Sequence, residues 1–192
     1  DVPTCDSAMF ITGYGAYEIS SDPGFAVSRI SMLDRGVLYA VPHIRGGGEM
    51  GRAWYEQGHL LNKKHSFEDF IDATRALQRA GLASPLRTVA NGGSAGGLLM
   101  GAVANMAPEC YAGVEADVPF SILDPSLPLT VTEWDEWGDP LHDADVYAYM
   151  KSYTPYENAP DSENDERTAV FPKIFITTSM NDTRVLYVEP MK

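Results

Sequence analysis

The stretch from Val89 to Met100 constrains the fold of this chain more than any other part of its sequence. An apolar run ends at Ala90, a turn of small residues follows at 92–97, and apolar residues then recur at helical spacing. In that turn Gly92, Ser94 and Gly96 form the pattern G-x-S-x-G, which between a strand and a helix is typical of a strained elbow that projects one hydroxyl beyond the sheet edge. The stretch therefore predicts a strand, a tight turn and a helix, with Ser94 as a candidate nucleophile. The simpler alternative is a glycine-rich turn with an incidental serine.

Charge and composition restrict the classes of partner. A net charge of -13, from 14 basic and 27 acidic residues, argues against nucleic acid and anionic membranes and leaves room for cationic ligands, although solubility alone also explains it. No apolar run approaches the roughly 20 residues of a membrane span, and the first residues have no leader pattern. Cys5 and Cys110 are too few for a disulfide framework and lack metal-ligand spacing. We therefore expect a cytoplasmic protein without a metal or another cofactor.

The rest of the chain alternates predicted strands and helices. Residues 9–15 predict a short buried strand that enters a glycine-lined loop, and a helix face around 25–33 leads to a strand at 37–41. Ser66 begins a capping-box pattern ahead of a helix that ends near Gly81, while residues 45–49 predict a flexible glycine loop. Further predicted elements are strands at 86–90, 111–118 and 171–178, a pocket loop at 119–140 and a short helix at 145–150.

This alternation predicts an α/β class chain with the α/β-hydrolase fold, in which a mostly parallel sheet is flanked by helices. The sequence begins at Asp1 without a methionine, and the helical pattern before Lys192 lacks a stop signal. We therefore expect residues 1–192 to be a partial hydrolase domain, incomplete at both ends.

A nucleophilic serine of this fold needs an acid, a histidine and an oxyanion hole. The triad follows the chain order serine, acid, histidine, and Asp182 lies after a later predicted strand, where the acid is expected. Its alternative is a turn or helix-cap aspartate. The backbone N–H of Ala95 and the hydroxyl of Tyr14 are candidate oxyanion donors. The sequence has four histidines, all before Asp182, so the catalytic base is missing from the expected position: His43, His59, His65 and His142.

Several motifs occur together in one order: 13–18 (GYGAYE), 45–51 (RGGGEMG), 92–97 (GGSAGG) and 181–185 (NDTRV). Three more are found at 123–130 (LDPSLPLT), 133–138 (EWDEWG) and 149–153 (YMKSY). With these motifs the chain resembles the catalytic domain of the prolyl oligopeptidase family, in particular its oligopeptidase B branch. The resemblance covers nearly the whole chain.

The resemblance implies a serine oligopeptidase that hydrolyses short peptides after lysine or arginine through an acyl-enzyme. It implies roles for eight residues. These are Ser94 as nucleophile, Asp182 as triad acid, Tyr14 and Ala95 as the oxyanion hole, Arg184 as a ligand of a substrate carbonyl, Glu133 and Asp135 as acceptors for the basic side chain, and Asp22 as a second acidic subsite. The usual partner of Asp22 falls on Gly24.

The resemblance also implies missing parts of the same enzyme. The family's catalytic histidine would lie beyond Lys192, its N-terminal β-propeller has no counterpart here, and the connection from Phe120 to Leu123 is shorter than in the family. We therefore expect this piece alone to be inactive. The alternative is an inactive, hydrolase-derived structural or partner-binding subunit. An esterase or lipase of the same fold fits the acidic residues and Arg184 less well than a basic peptide does.

Overall fold

The computed structural model describes residues 2–120, 133–161 and 164–191. Within these residues five strands form one sheet, and every pairing in it is parallel. The strands are β1 (Met9–Thr12), β2 (Leu38–Ala40), β3 (Thr88–Gly93), β4 (Gly113–Asp117) and β5 (Lys173–Thr177). Their order across the sheet is β2-β1-β3-β4-β5. The predicted β-α-β step and the parallel sheet are both present.

Helices connect these strands. They are α1 (Val27–Leu33), α2 (Arg52–Glu56), α3 (Lys64–Arg79), α4 (Ala95–Met106), α5 (Trp134–Trp137), α6 (Ala144–Lys151), α7 (Pro155–Asn158) and α8 (Val188–Met191). Short 3-10 turns lie at Leu60–Asn62, Pro85–Arg87, Pro108–Cys110 and Glu166–Val170. No helix within the described ranges is both long and apolar enough to cross a membrane.

The strand order identifies the edge of the sheet where a ligand would bind. The chain runs from β1 outward to β2 and then returns to place β3 on the other side of β1. In open parallel sheets the crevice at such a reversal, beyond the carboxyl ends of the strands, is the usual binding position. The loops that leave β1 and β3 carry Tyr14 and Ser94, so the topology brings these two residues to one place.

The core lies between the sheet and helices α3 and α4. Helix α4 is apolar on all sides, and ten of its residues are buried because it packs against β3, β4 and α3. The predicted face of α3 is confirmed, since Phe67, Phe70, Ile71 and Thr74 are buried. Helix α1 forms near its predicted place, but it has no buried residue, and Phe25 lies before its first turn, 87% exposed.

Two local predictions are wrong. Helix α3 begins at Lys64, so Ser66 lies inside it and does not cap it; the Ser66 hydroxyl instead donates to the backbone oxygen of Arg45 at 2.6 Å. The glycine loop at 45–49 is held in place rather than flexible. Arg45 donates to Asp69 through Nη2 at 2.6 Å and through Nε at 2.8 Å, and Glu49 accepts from the backbone N–H of Ser21 at 2.8 Å. The sequence showed the glycines but not these tertiary partners.

The last predicted elements fall in their expected regions with shifted limits. The strand before the elbow starts at Thr88, after a 3-10 turn at Pro85–Arg87. The predicted helix around 145–150 is α6, which Asp143 caps by accepting from the N–H groups of Asp145 and Val146. Within the predicted pocket loop, α5 is a single helical turn. The motif at 123–130 lies outside the described residues. The connection from Phe120 to Leu123 also lies outside them, except for Phe120 itself.

Candidate active site

Ser94 has a strained backbone at the junction of β3 and α4. Its φ is 56° and its ψ is -117°, a region that non-glycine residues rarely occupy, at a cost of about 1–3 kcal/mol. Backbone hydrogen bonds impose this conformation from both sides. The N–H of Ser94 donates to the oxygen of Asp117 at 2.9 Å, and the Ser94 oxygen accepts from Gly97 at 2.9 Å and from Phe120 at 3.1 Å. The predicted elbow (residues 92–97) is therefore fixed by main-chain contacts with β4 and with the segment that follows it.

The two outer glycines of the motif are required by close packing with the β1 loop. A Cβ atom on Gly96 would lie 2.7 Å from the backbone oxygen of Gly13 and 3.4 Å from Cδ2 of Tyr14. A Cβ atom on Gly92 would lie 2.4 Å from the oxygen of Gly96. The absence of side chains at these positions lets the two loops meet, so that Tyr14 lies over the start of α4.

The substitution Gly96→Ala tests this close approach. Alanine would gain up to about 1 kcal/mol of helix propensity, but its methyl group meets a backbone oxygen that cannot move without the β1 loop. We expect a net loss of about 1–3 kcal/mol in the free energy of unfolding, measured by urea titration. Gly24→Ala is the control, because nothing lies within 4 Å of its added Cβ. Equal stability of the two variants would contradict the packing argument.

Tyr14 and Ala95 both adjoin Ser94, the first through its side chain and the second as the next residue in the chain. Burial raises the pKa of the Tyr14 hydroxyl above its ordinary value, while a hydrogen-bonding contact with the Ser94 side chain lowers it in part. The N–H of Ala95 is the first donor of α4, and among the described residues it has no acceptor. A helix N-terminus favours a developing negative charge. Together the phenol and the amide form a pair of donors of the kind that an oxyanion hole requires.

Asp182 and Arg184 lie on the loop after β5. One oxygen of Asp182 accepts from the backbone N–H groups of Arg184 at 2.8 Å and Val185 at 2.9 Å. These two hydrogen bonds lower the pKa of the carboxyl group. The other oxygen has no hydrogen-bond partner among the described residues, so it is free to accept from a histidine. Arg184 is exposed, and its charge acts on Tyr14 by lowering the pKa of that phenol.

The four histidines do not supply a base at this place. His59 donates through Nε2 to the backbone oxygen of Asp135 at 2.5 Å, His65 pairs with the oxygen of Gln57 at 2.7 Å, and His142 pairs with Asp139 at 2.7 Å. His43 is exposed on the loop after β2. Within the described ranges, none of the four forms a hydrogen bond with Ser94 or Asp182. No group of three potential metal ligands comes together there either.

The three predicted acidic residues are placed differently from one another. Glu133 is half-buried, accepts from the Tyr17 hydroxyl, and acts electrostatically on Tyr14. Asp135 lies two residues further along the same turn, where its side chain is exposed and takes another direction. Asp22 is exposed on the loop before α1, and within the described ranges no hydrogen bond or ion pair joins it to this group. Of these three carboxylates, Glu133 is the one whose charge raises the pKa of Tyr14.

Sequence reasoning missed the buried residues next to this site. Glu136 is 4% exposed and accepts from the backbone N–H of Tyr17 at 3.0 Å and from the Tyr55 hydroxyl at 2.8 Å. Lys63 is 2% exposed and donates to the backbone oxygen of Gly15. Their charge typically indicates a solvated surface, so their residue types gave no signal of burial. The only available hint was the placement of Glu136 between two tryptophans.

A parallel sheet with a strained serine elbow after its middle strand defines an α/β hydrolase. A profile of the prolyl oligopeptidase family matches residues 23–192. The chain belongs to the prolyl oligopeptidase family.

Individual relatives agree with this assignment. The chain is 49% identical to dipeptidyl aminopeptidase BI of Pseudoxanthomonas mexicana and 47% identical to protease 2 of Moraxella lacunata, over 96% of its own length in both cases. It covers 25% and 26% of these proteins, so it spans about a quarter of the length of the curated relatives it matches. The structure of oligopeptidase B from Leishmania major superposes with a TM-score of 0.90 at 42% identity, covering 100% of this chain and 26% of that one.

Proposed function

We propose that this chain carries the nucleophile of a serine oligopeptidase that cleaves short peptides after lysine or arginine through an acyl-enzyme. The observation that carries the proposal is the arrangement around Ser94. Its strained backbone presents a hydroxyl at the switch point of the sheet, with the phenol of Tyr14 beside it and the unpaired N–H of Ala95 next to it.

In the proposed reaction, the Ser94 hydroxyl attacks the scissile carbonyl while a histidine accepts its proton. The carbonyl oxygen becomes negative and accepts hydrogen bonds from Ala95 and Tyr14. The tetrahedral intermediate collapses as the histidine protonates the leaving amine, and water then hydrolyses the ester on Ser94. Asp182 uses its unpaired oxygen to orient the histidine and to stabilise the imidazolium.

The relatives support the class of reaction. Their names describe a dipeptidyl aminopeptidase, a protease and an oligopeptidase, all of which hydrolyse peptide bonds. These names differ in the kind of peptide that is cut, so the preference for basic residues needs separate support.

Glu133 supplies that support. It is a half-buried carboxylate, electrostatically coupled to Tyr14 and held by the Tyr17 hydroxyl. A partly desolvated carboxylate binds a guanidinium or an ammonium through charge-assisted hydrogen bonds. Arg184, which carries a positive charge, would bind a substrate carbonyl. In this proposal Asp135 and Asp22 are outer acidic groups that favour basic peptides by longer-range attraction.

The proposed enzyme includes parts that lie outside residues 1–192. Residues 1–192 would be one part of a catalytic domain in a cytoplasmic enzyme, with a histidine and a β-propeller supplied elsewhere in the protein. Sequencing the gene past the codon for Lys192 tests this directly. We expect a histidine in a glycine-flanked loop. A stop codon would instead favour the inactive subunit. The observation that supports this alternative is that none of the four histidines forms a hydrogen bond with Asp182 within the described residues.

Covalent labelling tests the nucleophile. A biotinylated fluorophosphonate added to the full-length protein should label Ser94, identified by mass spectrometry of the modified peptide, because such probes react with activated serine hydroxyls. Heat-denatured protein is the control and should not react. A folded full-length protein that remains unlabelled would exclude the acyl-enzyme mechanism.

The substitution Glu133→Gln tests the substrate preference. It removes the negative charge and keeps the size, so we expect kcat/KM for arginine amides to fall by about 1.5–3 kcal/mol of transition-state binding, roughly tenfold to 150-fold. A neutral p-nitrophenyl ester should be affected much less. Glu56→Gln, on an exposed residue paired with Arg52 on α2, is the matched control. Equal losses on both substrates would show that Glu133 does not bind the basic side chain.

A further inference from the structure

The segment that follows Tyr14 has an unusual backbone. Gly15, Tyr17 and Glu18 all have positive φ, at 68°, 57° and 57°. Two of these three residues are not glycine, and such residues adopt this conformation only where the surrounding contacts impose it. We call residues 13–18 the oxyanion loop.

Two buried charged side chains supply part of those contacts, in addition to the main-chain bond from the N–H of Glu18 to the oxygen of Gly46 at 3.2 Å. The ammonium group of Lys63 donates to the backbone oxygen of Gly15, and one carboxylate oxygen of Glu136 accepts from the backbone N–H of Tyr17 at 3.0 Å. The second oxygen of Glu136 accepts from the Tyr55 hydroxyl at 2.8 Å. Lys63 and Glu136 thus fix the oxyanion loop at points two residues apart.

Both charges are costly to bury. Burial lowers the pKa of Lys63 to about 8, against the opposing effect of the Glu136 charge. The ammonium nitrogen also lies 4.7 Å from the ring centroid of Trp137, where cation–π attraction offsets part of the cost. Buried charges of this kind contribute little net stability. Their geometry points instead to a role in fixing the loop.

The fixed loop serves both parts of the proposed site. Tyr14 directly precedes Gly15, and interaction with the Ser94 side chain lowers the pKa of its hydroxyl in part. The Tyr17 hydroxyl donates to Glu133 and accepts from the indole N–H of Trp137 at 3.0 Å. A displacement of the loop would therefore move the oxyanion donor and the cation-binding carboxylate together.

We propose that Lys63 and Glu136 are positioning residues that fix the oxyanion loop, so that the Tyr14 hydroxyl faces Ser94 and the Tyr17 hydroxyl holds Glu133. This inference rests on the proposed function and deepens it. The same two buried side chains would then serve both transition-state stabilisation and the choice of substrate.

A double-mutant cycle in the full-length protein tests the first part of the proposal, that Lys63 and Glu136 position the Tyr14 hydroxyl. Lys63→Met removes the ammonium group and keeps most of the side-chain length. We expect kcat on a neutral p-nitrophenyl ester to fall on the order of tenfold to 100-fold, because a shift of about 1 Å in a catalytic group has this effect. In the Y14F background the same substitution should change kcat less than about twofold, since no hydroxyl remains to be misplaced. Lys64→Met is the matched control, because the neighbouring lysine faces the ring of Tyr149 instead.

A second cycle tests the other part of the proposal, that the fixed loop holds Glu133 in place. It uses a substitution that preserves the side-chain volume. Glu136→Gln should lower the ratio of kcat/KM for an arginine amide over the neutral ester by about tenfold, and this loss should disappear in the E133Q background. It should also lower kcat on the ester in a way that disappears in the Y14F background. If Lys63→Met does not fold, as judged by circular dichroism, this second readout tests the positioning of Tyr14 in its place.

The outcomes separate the inference from the proposed function. Additive effects in both cycles, with folded variants, would show that Lys63 and Glu136 support the fold only and would overturn the inference while leaving Ser94 as nucleophile. Full activity of Ser94→Ala would overturn the proposed function and the inference with it.

Discussion

Replacing Ser94 with alanine should abolish peptide hydrolysis by the full-length protein, with kcat falling on the order of 10⁶-fold. The reason is the loss of the oxygen atom that forms the acyl-enzyme bond in the proposed reaction. The substitution tests chemistry more than folding, because the strained φ of 56° and the main-chain hydrogen bonds of residue 94 involve backbone atoms that alanine keeps. Steady-state cleavage of a fluorogenic arginine peptide measures the loss.

The control for this experiment is Ser31→Ala, which removes an exposed hydroxyl on α1 that only accepts from Arg35. It should leave the rate unchanged. Substantial activity in Ser94→Ala would mean that another group performs the reaction, or that the hydrolysis comes from a contaminant, which active-site labelling of the same preparation distinguishes.

Replacing Tyr14 with phenylalanine should have the second largest effect. It removes the hydroxyl and keeps the ring that packs against the elbow at Gly96. We expect kcat to fall by about 10²–10³-fold with little change in KM, because an oxyanion donor acts in the transition state more than in the bound substrate. Tyr39→Phe, on β2 and away from the site, is the matched control.

The pH dependence of this loss provides a further check. Burial raises the pKa of Tyr14 above its ordinary value of 10.0, so the phenol stays protonated and remains a donor well above neutral pH. The ratio of wild-type to Tyr14→Phe activity should therefore be the same at pH 7 and pH 9. A ratio that falls towards pH 9 would show that the phenol ionises there and is not a buried hydrogen-bond donor.

The sequence predicted those parts of the fold that follow from short-range patterns. The elbow needs small residues between an apolar run and a helical spacing, and this pattern is visible within twelve residues. The face of α3 was visible for the same reason, since Phe67, Phe70 and Ile71 recur at helical spacing. The capping box failed because Ser66 has an acceptor 21 residues away at Arg45, and a local pattern cannot show such a partner.

For the candidate site, the sequence predicted which residues take part but not how each one is placed. The identities of Ser94, Tyr14, Asp182, Glu133 and Arg184 came from motifs, and their assigned roles stay predictions. The sequence treated Glu133 and Asp135 alike, but their directions on one helical turn separate a half-buried carboxylate from an exposed one.

The sequence by itself determined the elbow, the α/β class and the family, because each depends on residues close together in the chain or on motifs in a fixed order. Only the tertiary structure revealed the network of Lys63, Glu136 and Tyr17, whose members lie up to 119 residues apart. The physical reason is that a charged residue is ordinarily most stable in water, so its burial follows from partners that the folded chain brings to it.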